Sequence, residues 1–378
     1  MKIDILFPVL PPVIDGIGDH TARLAAALSR HAQVRILSAQ ASYDPIDGVD
    51  VVQAFSMDKR SGVFRVVDVI ARDPPDWLFI QFNQFSYGKW GLNPFLPLAI
   101  AAVRRRCPKT RIAWMAHEDF VPVTSWKFAV MTTWQRAQFV ALGRMADHIF
   151  FSIQPWVDKY RDWFSQQPIS YLPVGSNIPL LGRSRDGARA ELGIEDEALI
   201  VGVFGTINKS RLLGHIARAV NALWQDNTHM RVLYVGPAGF SLARALPPQV
   251  SVYDAGVLPP EEVSTHLMAM DIHLAPYSDG ISTRRGAFLA GLQHGVPSVT
   301  TVGVHTDSLL RKEVGHAFCA PNVSDIDGFV ATVCEIACDV EKRKALGNAG
   351  RQLYEKHFTF ERTAAKLMEA LSTIGPRS

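Results

Sequence analysis

The feature that most constrains the fold of this chain is an alternation of short apolar runs with helical segments, which occurs twice along the sequence. In the first half the apolar runs include "DWLFIQF", "TRIAWMAH" and "HIFFSI", and in the second half they include "ALIVGVFG", "MRVLYVGP" and "DIHLAPYS". Segments with apolar residues at helical spacing lie between them. Alternating strands and helices favour parallel sheets covered by helices on both faces. The sequence therefore predicts an α/β protein with two doubly wound, Rossmann-like domains.

The boundary between the two domains is predicted at the stretch "YLPVGSNIPLLG", whose proline and glycine content is typical of a linker. The length of 378 residues also suggests about two domains. We assign residues 1–175 to the first domain, residues 176–358 to the second, and residues 359–378 to a helical, charged tail.

Composition argues against several classes of protein. A formal net charge of +3 is small for this length and gives no indication of a nucleic-acid partner. No segment reaches about 18 consecutive apolar residues, so no membrane span is predicted. The 4 cysteines and the absence of a signal-peptide pattern together favour a cytoplasmic location. Cys334 and Cys338 lie one helical turn apart, but no second pair of metal ligands is nearby, so we interpret them as small packing residues.

Ligands of open parallel sheets bind beyond the carboxyl ends of the strands, so the residues after each strand are the candidates for a site. The first strand is followed by Gly16 and Gly18, before a helix that we expect to start near Asp19. Glycines let a backbone approach a ligand closely, and helix N-termini favour anions. A dinucleotide fingerprint does not fit, because the third glycine is absent and the loop is too long for a tight turn. A plain structural loop remains an alternative.

Polar side chains also follow two later strands of the first domain. Gln81, Asn83 and Tyr87 lie among aromatic residues in "QFNQFSYGKWG", where amides beside planar rings suit a sugar or another polar ligand. The alternative is the edge of an aromatic core. His117 follows "RIAWMA" and can donate or accept a hydrogen bond in a cleft, unless its hydrogen bonds are met within the fold. A metal site is not favoured here, because the three adjacent side chains of "HED" cannot all face one ion.

Two junctions between a strand and a helix in the second domain carry basic residues. Gly205 is followed by Lys209 and Arg211 in "GTINKSRLLG", and Arg284 and Arg285 fall in the expected first turn of a helix in "SDGISTRRGAFLAGLQHGVPSVTT". Cations are unfavourable at the positive end of a helix, and local rules broken in this way often mark a functional site. A shared anionic ligand such as a diphosphate would balance both pairs. The alternative is a set of solvated surface cations.

The ends of these helices carry capping signals. We expect Ser282 or Asp279 to cap the helix after the second junction, and Gly295 to end it in a left-handed conformation. The string "SDIDG" contains the Asp-x-Asp spacing of some metal sites. Because it opens a later helix, we interpret it as a helix cap.

Taken together, these stretches resemble the retaining GT-B glycosyltransferases of family 4 over nearly the whole chain. The resemblance rests on "DGIGDHTARLAAAL", "MAHED", "MADHIFFSI", "YLPVGSNI", "VGVFGTINKSRLLG" and "APYSDGISTRRGAFLAGLQHGVPSVTT", in this order and spacing. "FTFERTAAKLMEAL" matches the terminal helix of the family, which implies that the tail packs back on the first domain. The resemblance further implies two domains facing across a cleft, with the acceptor on the first and the donor mainly on the second.

The resemblance also implies roles for individual residues. His117 would face the donor sugar, and Arg211 with Lys209 would bind the diphosphate, so these three form the expected catalytic set. Donor binding is expected at Gly16, Gly18, Gly205, Thr206, Asp279, Gly280, Ile281, Ser282, Thr283 and Arg284. The acceptor side is expected at Asp19, His20, Gln81, Asn83 and Tyr87.

The chain departs from the family at three positions. Thr206 stands where the family has an arginine, and Ser282 and Ala290 stand where it has two glutamates. In this stretch the chain resembles a subgroup with the pattern DGxSxRRG. There Asp279 or Ser282 would replace the first sugar contact, and the amides of residues 281–283 would help the cations to stabilise the leaving diphosphate.

The activity implied by the resemblance is transfer of a sugar from a UDP- or GDP-sugar to a carbohydrate or lipid-linked acceptor, with retention. No cofactor and no essential metal are expected, and the setting is polysaccharide or glycoconjugate biosynthesis. The alternatives are a non-hydrolysing nucleotide-sugar epimerase and a binding protein that kept the fold without catalysis. "TSWKFAVMTTWQRAQFVALGR" mixes aromatic and basic residues, which is typical of a helix at the inner surface of a membrane or of a core helix with a solvated edge.

Overall fold

The computed structural model describes residues 1–194, 197–226 and 229–374. The chain divides into two compact units. Unit 1 comprises Met1–Val174 and the terminal segment that starts at Phe360, and unit 2 comprises Gly175–Thr359. The first change of unit therefore falls inside the stretch "YLPVGSNIPLLG".

Unit 1 is built on a sheet of 7 strands in the order β3-β2-β1-β4-β5-β6-β7, and every neighbouring pair is parallel. All residues of β4 and β5 are buried, because helices cover both faces of a parallel sheet. The strands are β1 Lys2–Leu6, β2 Gln33–Ser38, β3 Val49–Gln53, β4 Trp77–Phe82, β5 Arg111–Ala116, β6 His148–Phe151 and β7 Ile169–Tyr171. The helices up to β7 are α1 Gly16–Ser29, α2 Arg65–Arg72, α3 Phe95–Arg106, α4 Trp126–Met145 and α5 Gln154–Tyr160.

Unit 2 has a sheet of 5 parallel strands in the order β10-β9-β8-β11-β12. The strands are β8 Leu199–Phe204, β9 Met230–Val235, β10 Val252–Asp254, β11 Ile272–Leu274 and β12 Ser298–Val299. The helices are α6 Arg185–Glu191, α7 Leu213–Gln225, α8 Gly239–Ala245, α9 Pro260–Ala269, α10 Gly286–Gln293, α11 Ser308–Glu313, α12 Ile326–Cys338 and α13 Val340–His357. The prediction of an α/β protein with two parallel sheets is confirmed.

The strand order reverses beside β1 in unit 1 and beside β8 in unit 2. At such a point the connections from neighbouring strands leave towards opposite faces of the sheet and open a crevice at their carboxyl ends. The loops after β1 and β4 therefore meet in unit 1, and the loops after β8 and β11 meet in unit 2. The loops after β8 and β11 carry the predicted site residues of unit 2, and the predicted residues of unit 1 lie in α1, at the ends of β4 and β5 and after them.

The terminal helix α14, Phe360–Ser372, belongs to unit 1 and packs on α1. Its first ring, Phe360, lies 5.4 Å from the ring of His20. The hydroxyl of Thr363 donates to the carbonyl of Pro173 at 3.3 Å, and Leu367 is fully buried. The helix α14 therefore returns to the unit that contains α1.

Helix α4 is continuous over 20 residues, and only its second half is anchored in the core of unit 1. Phe139 on this half is buried with its ring 4.8 Å from the ring of Trp114, whereas Trp126 at the first position is 74 % exposed. Among the described residues, no helix is long and apolar enough to cross a membrane.

Candidate functional site

The loops after β8 and β11 of unit 2 are joined by backbone hydrogen bonds. Arg211 and Tyr277 form an isolated antiparallel bridge. Two hydrogen bonds flank this bridge. The amide of Leu212 donates to the carbonyl of Pro276 at 3.1 Å, and the amide of Ser278 donates to the carbonyl of Ser210 at 2.8 Å. The bridge fixes the side chain of Arg211 against the ring of Tyr277, with 4.5 Å between the guanidinium carbon and the ring centroid.

Arg211 is a buried cation whose charge lacks a carboxylate partner among the described residues. Its side chain donates from Nη2 to the carbonyl of Phe204 at 2.8 Å, and the residue is only 5 % exposed. Its Nε and Nη1 atoms are buried without a hydrogen-bond partner. Removing a charge from water without pairing it costs on the order of several kcal/mol, so an anion placed beside this guanidinium would be stabilised.

Gly205 keeps the space beside Arg211 open. Its φ of +96° lies in the region that favours glycine, and an added Cβ would lie 3.0 Å from the Cβ of Ala287 and 3.5 Å from Nη2 of Arg211. Thr206 and Lys209 are exposed on the same loop. The loop thus brings Gly205 and Arg211 together as the sequence suggested, and leaves the expected partner Lys209 in solvent.

Asp279 organises the opposite side of this region. Its carboxylate binds Nη2 of Arg284 at 2.5 Å, Nη2 of Arg285 at 2.7 Å and Nδ1 of His305 at 3.0 Å. Partial burial alone would raise the pKa of Asp279, but the hydrogen bond from His305 and the charges of Arg285 and Arg284 outweigh it and hold the pKa well below its usual range. The carboxylate therefore stays ionised and anchors both arginines.

Arg285 is the N-cap residue of α10 and Arg284 precedes it, so neither lies in the first helical turn where the sequence placed them. Helix α10 begins at Gly286, and residues 282–285 form a separate turn in which the amide of Arg285 donates to the carbonyl of Ser282 at 3.0 Å. No side chain caps α10, so the expectation that Ser282 or Asp279 caps it was wrong. The carboxylate of Asp279 pairs with Arg284 and Arg285 and therefore does not cap the helix.

The expected row of free amides after Asp279 is also corrected. The amides of Gly280 and Ile281 donate to the carbonyls of Tyr277 at 3.1 Å and Thr301 at 2.8 Å. The amide of Thr283 donates to a carboxylate oxygen of Asp307 at 2.8 Å. The amides of Ile281 and Thr283, two of the three expected to face a leaving group, are therefore already bonded within the fold.

Two further positions of this loop have close neighbours. Gly280 has a φ of +83°, and an added Cβ would collide with the backbone of Gly303, so the two chain segments touch there. Ser282 is fully buried, and its hydroxyl has no hydrogen-bond partner among the described residues. Asp279 already accepts from three groups, which leaves it poorly suited to replace a glutamate that contacts a sugar.

In unit 1, three predicted polar residues lie together: His117 directly after β5, Gln81 near the end of β4 and His20 in α1. Nε2 of His117 donates to Oε1 of Gln81 at 2.5 Å, and the ring of His20 lies 5.2 Å from the ring of His117. Burial lowers the pKa of His117 far below its usual value, with a further contribution from His20, and burial lowers the pKa of His20 to about 4. Both imidazoles are therefore neutral at pH 7.

Helix α1 starts three residues earlier than expected because Asp15 caps it. The carboxylate of Asp15 accepts from the amides of Ile17 at 3.0 Å and Gly18 at 2.8 Å. Two amides at this helix start are already bonded to an anionic side chain, which disfavours a phosphate there. Gly18 has a packing role instead, since an added Cβ would lie 2.6 Å from the carbonyl oxygen of Val9, whereas an added Cβ at Gly16 would meet no atom within 4 Å.

Three other residues expected on the acceptor side have different surroundings. Burial raises the pKa of Asp19 to about 6. Asn83 donates to Glu118 at 3.1 Å and accepts from the amide of Phe85 at 2.8 Å. Tyr87 is buried in the core, and its hydroxyl bonds the carbonyls of Leu6 and Gln81, so its expected contact with a ligand is corrected. An aromatic residue close to amides in the sequence was therefore not enough to distinguish a ligand site from the edge of an aromatic core.

The described residues contain no group of three or more His, Cys, Asp or Glu arranged to hold a metal ion. In "SDIDG", the carboxylate of Asp325 accepts from the amide of Gly328 at 2.8 Å and caps α12, which confirms the capping interpretation. Cys334 is partly buried against the core of unit 2.

Sequence reasoning missed two residues of the unit 2 site, the ring of Tyr277 and the imidazole of His305. Tyr277 was quoted within "APYSDG" but given no role, and His305 lies on a loop far along the chain. The arrangement depends on β8 lying between β9 and β11, which no local pattern encodes. Asp15, directly before the glycines, carried a detectable N-cap signal.

No family model and no curated protein sequence matches this chain. Solved structures do match over nearly the full length. Sucrose-phosphate synthase from Thermosynechococcus elongatus is 14% identical with a TM-score of 0.74, covering 99% of this chain and 98% of its own. WaaG, a glycosyltransferase of lipopolysaccharide biosynthesis, is 14% identical with a TM-score of 0.70, covering 98% and 100%. HepE from Anabaena, solved with UDP-glucose, is 14% identical with a TM-score of 0.70, covering 99% and 100%.

A candidate UDP-N-acetylglucosamine 2-epimerase from Listeria monocytogenes also matches, with 12% identity and a TM-score of 0.59 over 98% of this chain and 96% of its own. At these identities the likeness establishes the fold. The chain has the GT-B fold, as its sequence suggested.

Proposed function

We propose that this protein is a glycosyltransferase that moves a sugar from a nucleotide-sugar donor to an acceptor hydroxyl. The observation that carries the proposal is the buried guanidinium of Arg211 after β8, which has no carboxylate partner within the described part of the chain. A nucleoside diphosphate is the anion that this position of an α/β sheet most often receives. The GT-B fold supports the assignment, because HepE of this fold was solved with UDP-glucose.

The proposed reaction depends on charge stabilisation of the leaving group. As the bond between the sugar and the diphosphate breaks, negative charge grows on the phosphate, and a preorganised cation in a buried site stabilises that charge strongly. Arg211 supplies this cation, with the exposed Lys209 of the same loop as an auxiliary. We infer retention of the anomeric configuration and activity without a metal from the family resemblance in sequence.

In the proposed reaction, His117 contacts the donor sugar, and Gln81, expected on the acceptor side, holds its imidazole. The neutral imidazole, oriented by its bond to Gln81, suits a hydrogen bond with a sugar hydroxyl rather than the donation of a proton. Asp19, His20 and Asn83 are assigned to the acceptor side, where a carboxyl with a pKa of about 6 can accept a proton near neutral pH.

The test is turnover of UDP- and GDP-sugars with the full chain, in the presence of EDTA and of candidate oligosaccharide or lipid-linked acceptors. We expect slow hydrolysis of one donor without acceptor, faster transfer with it, unchanged rates in EDTA and a product of the donor's anomeric configuration by NMR. Failure of every donor to bind would refute the proposal. Binding without turnover would favour a protein that kept the fold and lost catalysis.

An epimerase is the second candidate, because one matching structure is a candidate UDP-N-acetylglucosamine 2-epimerase. It predicts interconversion of two UDP-sugars without an acceptor, with incorporation of deuterium from the solvent at the inverted carbon. The same NMR experiment in D₂O distinguishes the two reactions, and we expect no such incorporation.

We also propose that unit 1 contacts the inner face of a membrane through the start of α4. Trp126 and Val130 lie exposed on one side of this helix, and Trp90 is exposed beside it, held by a hydrogen bond from Nε1 of Trp134 to its carbonyl at 3.1 Å. The sequence from Trp126 to Met145 contains lysine and arginine but no acidic residue. Tryptophans with cations are typical of a helix that binds anionic lipid surfaces.

The membrane proposal predicts co-sedimentation with vesicles that contain phosphatidylglycerol, and less with phosphatidylcholine alone. The double variant Trp90→Ser, Trp126→Ser should lose most of this binding. Trp224→Ser removes an exposed tryptophan of unit 2 and is the matched control. Equal pelleting of the double variant and the wild type would contradict the proposal.

A further inference from the structure

The ring of Tyr277 is shared by two guanidinium groups. The guanidinium carbon of Arg211 lies 4.5 Å from the ring centroid, and that of Arg285 lies 4.3 Å from it. Tyr277 itself is 4 % exposed and fixed through its backbone to Arg211 and to the hydroxyl of Thr301. Each cation is attracted to the electron-rich ring, but two like charges so close repel each other strongly unless an anion compensates them.

The carboxylate of Asp279 compensates only part of this charge. It is shared among Arg284, Arg285 and His305, and Arg211 has no carboxylate partner among the described residues. Arg285 is held through one nitrogen only, since its Nη2 makes both bonds to Asp279, at 2.7 and 2.9 Å, and its Nε is buried without a partner. Arg211 and Arg285 together therefore carry at least one positive charge that Asp279 does not balance. Both side chains also have N–H donors without an acceptor among the described residues.

We propose that Arg285, rather than Arg284, is the second guanidinium of the diphosphate site. Arg211 and Arg285 bind successive phosphates from two different loops, and Tyr277 and Asp279 are positioning residues that hold the pair. Arg284 is bound to the same carboxylate of Asp279 and supports it. The inference rests on the proposed function, because it assigns the anion of that same site.

The loops explain why a rigid ring is needed between the cations. Arg211 comes from the connection after β8 and Arg285 from the connection after β11, so their spacing depends on the bridge between Arg211 and Tyr277. A planar ring of low conformational entropy separates them at a fixed distance. A flexible aliphatic residue in its place would let the guanidinium groups drift apart.

The test is calorimetric titration of the full chain with inorganic pyrophosphate and, separately, with orthophosphate. We expect pyrophosphate to bind at least about tenfold more tightly, because it engages both guanidinium groups. Arg285→Gln should weaken pyrophosphate binding by about 10- to 100-fold, and Arg285→Lys should restore part of it. Arg218→Gln, which removes an exposed arginine from α7, is the control for loss of charge alone.

Tyr277→Phe and Tyr277→Leu separate positioning from simple packing. The phenylalanine variant keeps the ring and should bind pyrophosphate as the wild type does, whereas the leucine variant should lose about tenfold while it melts as a folded protein. With a nucleotide-sugar, Tyr277→Leu should raise KM for the donor more than it lowers kcat. Equal weakening in Arg284→Gln and Arg285→Gln, or no effect in Tyr277→Leu, would overturn the assignment.

The two proposals fail in different ways. Wild-type binding of pyrophosphate that depends on Arg285, with no turnover of any nucleotide-sugar, would refute the proposed function and leave this inference intact. Turnover that is indifferent to Arg285→Gln would refute the inference and leave the proposed function intact.

Discussion

At the scale of single residues, the unit 2 site is governed by how each arginine is neutralised. Arg284 and Arg285 share the carboxylate of Asp279, whereas Arg211 is buried without a carboxylate partner among the described residues. An unpaired buried charge is tolerated when a ligand supplies the missing partner. The cost is then a loss of stability in the free protein and a gain in affinity for the anion.

Replacing Arg211 by methionine should therefore separate stability from binding. Arg211→Met removes an unpaired buried charge while it keeps an unbranched side chain, so we expect the free protein to unfold at a higher urea concentration, by about 1–3 kcal/mol in free energy. The same variant should lose stabilisation by UDP or pyrophosphate. Urea unfolding with and without pyrophosphate measures both effects. A concentration of about 5 mM stabilises the folded protein measurably even if the Kd is in the millimolar range.

The matched control is Arg218→Met, an exposed arginine of the same unit, which should change neither quantity appreciably. A free Arg211→Met protein less stable than the wild type would mean that Arg211 contributes to packing and is not held ready for an anion.

At the scale of elements, the start of α1 shows how a cap decides between two interpretations of one motif. Gly16 and Gly18 precede a helix in sequence and suggested an anion site. Asp15 occupies the amides of Ile17 and Gly18, and the close approach of Val9 accounts for the glycine at position 18. Gly18 is therefore explained by packing, whereas no close contact requires a glycine at position 16.

The cap predicts a specific stability series. Asp15→Ala removes the acceptor of two amides and should destabilise unit 1 by about 1 kcal/mol. Asp15→Asn keeps an acceptor oxygen and should lose only a fraction of that. Urea midpoints of the two variants measure the difference. If Asp15→Asn instead tightened pyrophosphate binding, the helix start would be an anion site that the carboxylate normally blocks.

At the scale of the whole molecule, buried neutral histidines occur in both units. Burial lowers the pKa of His20 and of His148 in unit 1 to about 4, and that of His273 in unit 2 to about 3. In the unfolded chain each of these imidazoles titrates near pH 6.5. Below that pH the unfolded state binds more protons than the folded state, so both units lose stability as the solution is acidified.

The pH dependence should be measurable between pH 7.5 and 5. The stabilisation is fully present above pH 6.5 and is lost as the pH falls towards 4, and His20 alone should contribute about 2 kcal/mol of loss by pH 5. Urea unfolding at several pH values measures the slope. His20→Asn removes one titrating group and should reduce the dependence of the unfolding free energy on pH. His229→Asn, which replaces an exposed histidine, is the control. A stability that stayed constant from pH 7.5 to 5 would contradict buried neutral imidazoles.

The sequence by itself determined the class of fold and the chain positions of the site. Hydrophobic periodicity is a local property, so the sequence indicated each strand and helix directly. The alternation of strands and helices then predicted both parallel sheets. It also placed Gly205 and Arg211 after one strand and Asp279 to Arg285 after another, since ligands meet the carboxyl ends of strands.

Only the tertiary structure decided which of these groups bind one another. The order of β8 between β9 and β11 brings Arg211 to Tyr277, and the loop that carries His305 completes the surroundings of Asp279. Tyr87 turned inward for the same kind of reason, since its hydroxyl found two carbonyls of neighbouring strands. Ion pairing and burial depend on distances between residues far apart in the chain, and local sequence patterns do not contain those distances.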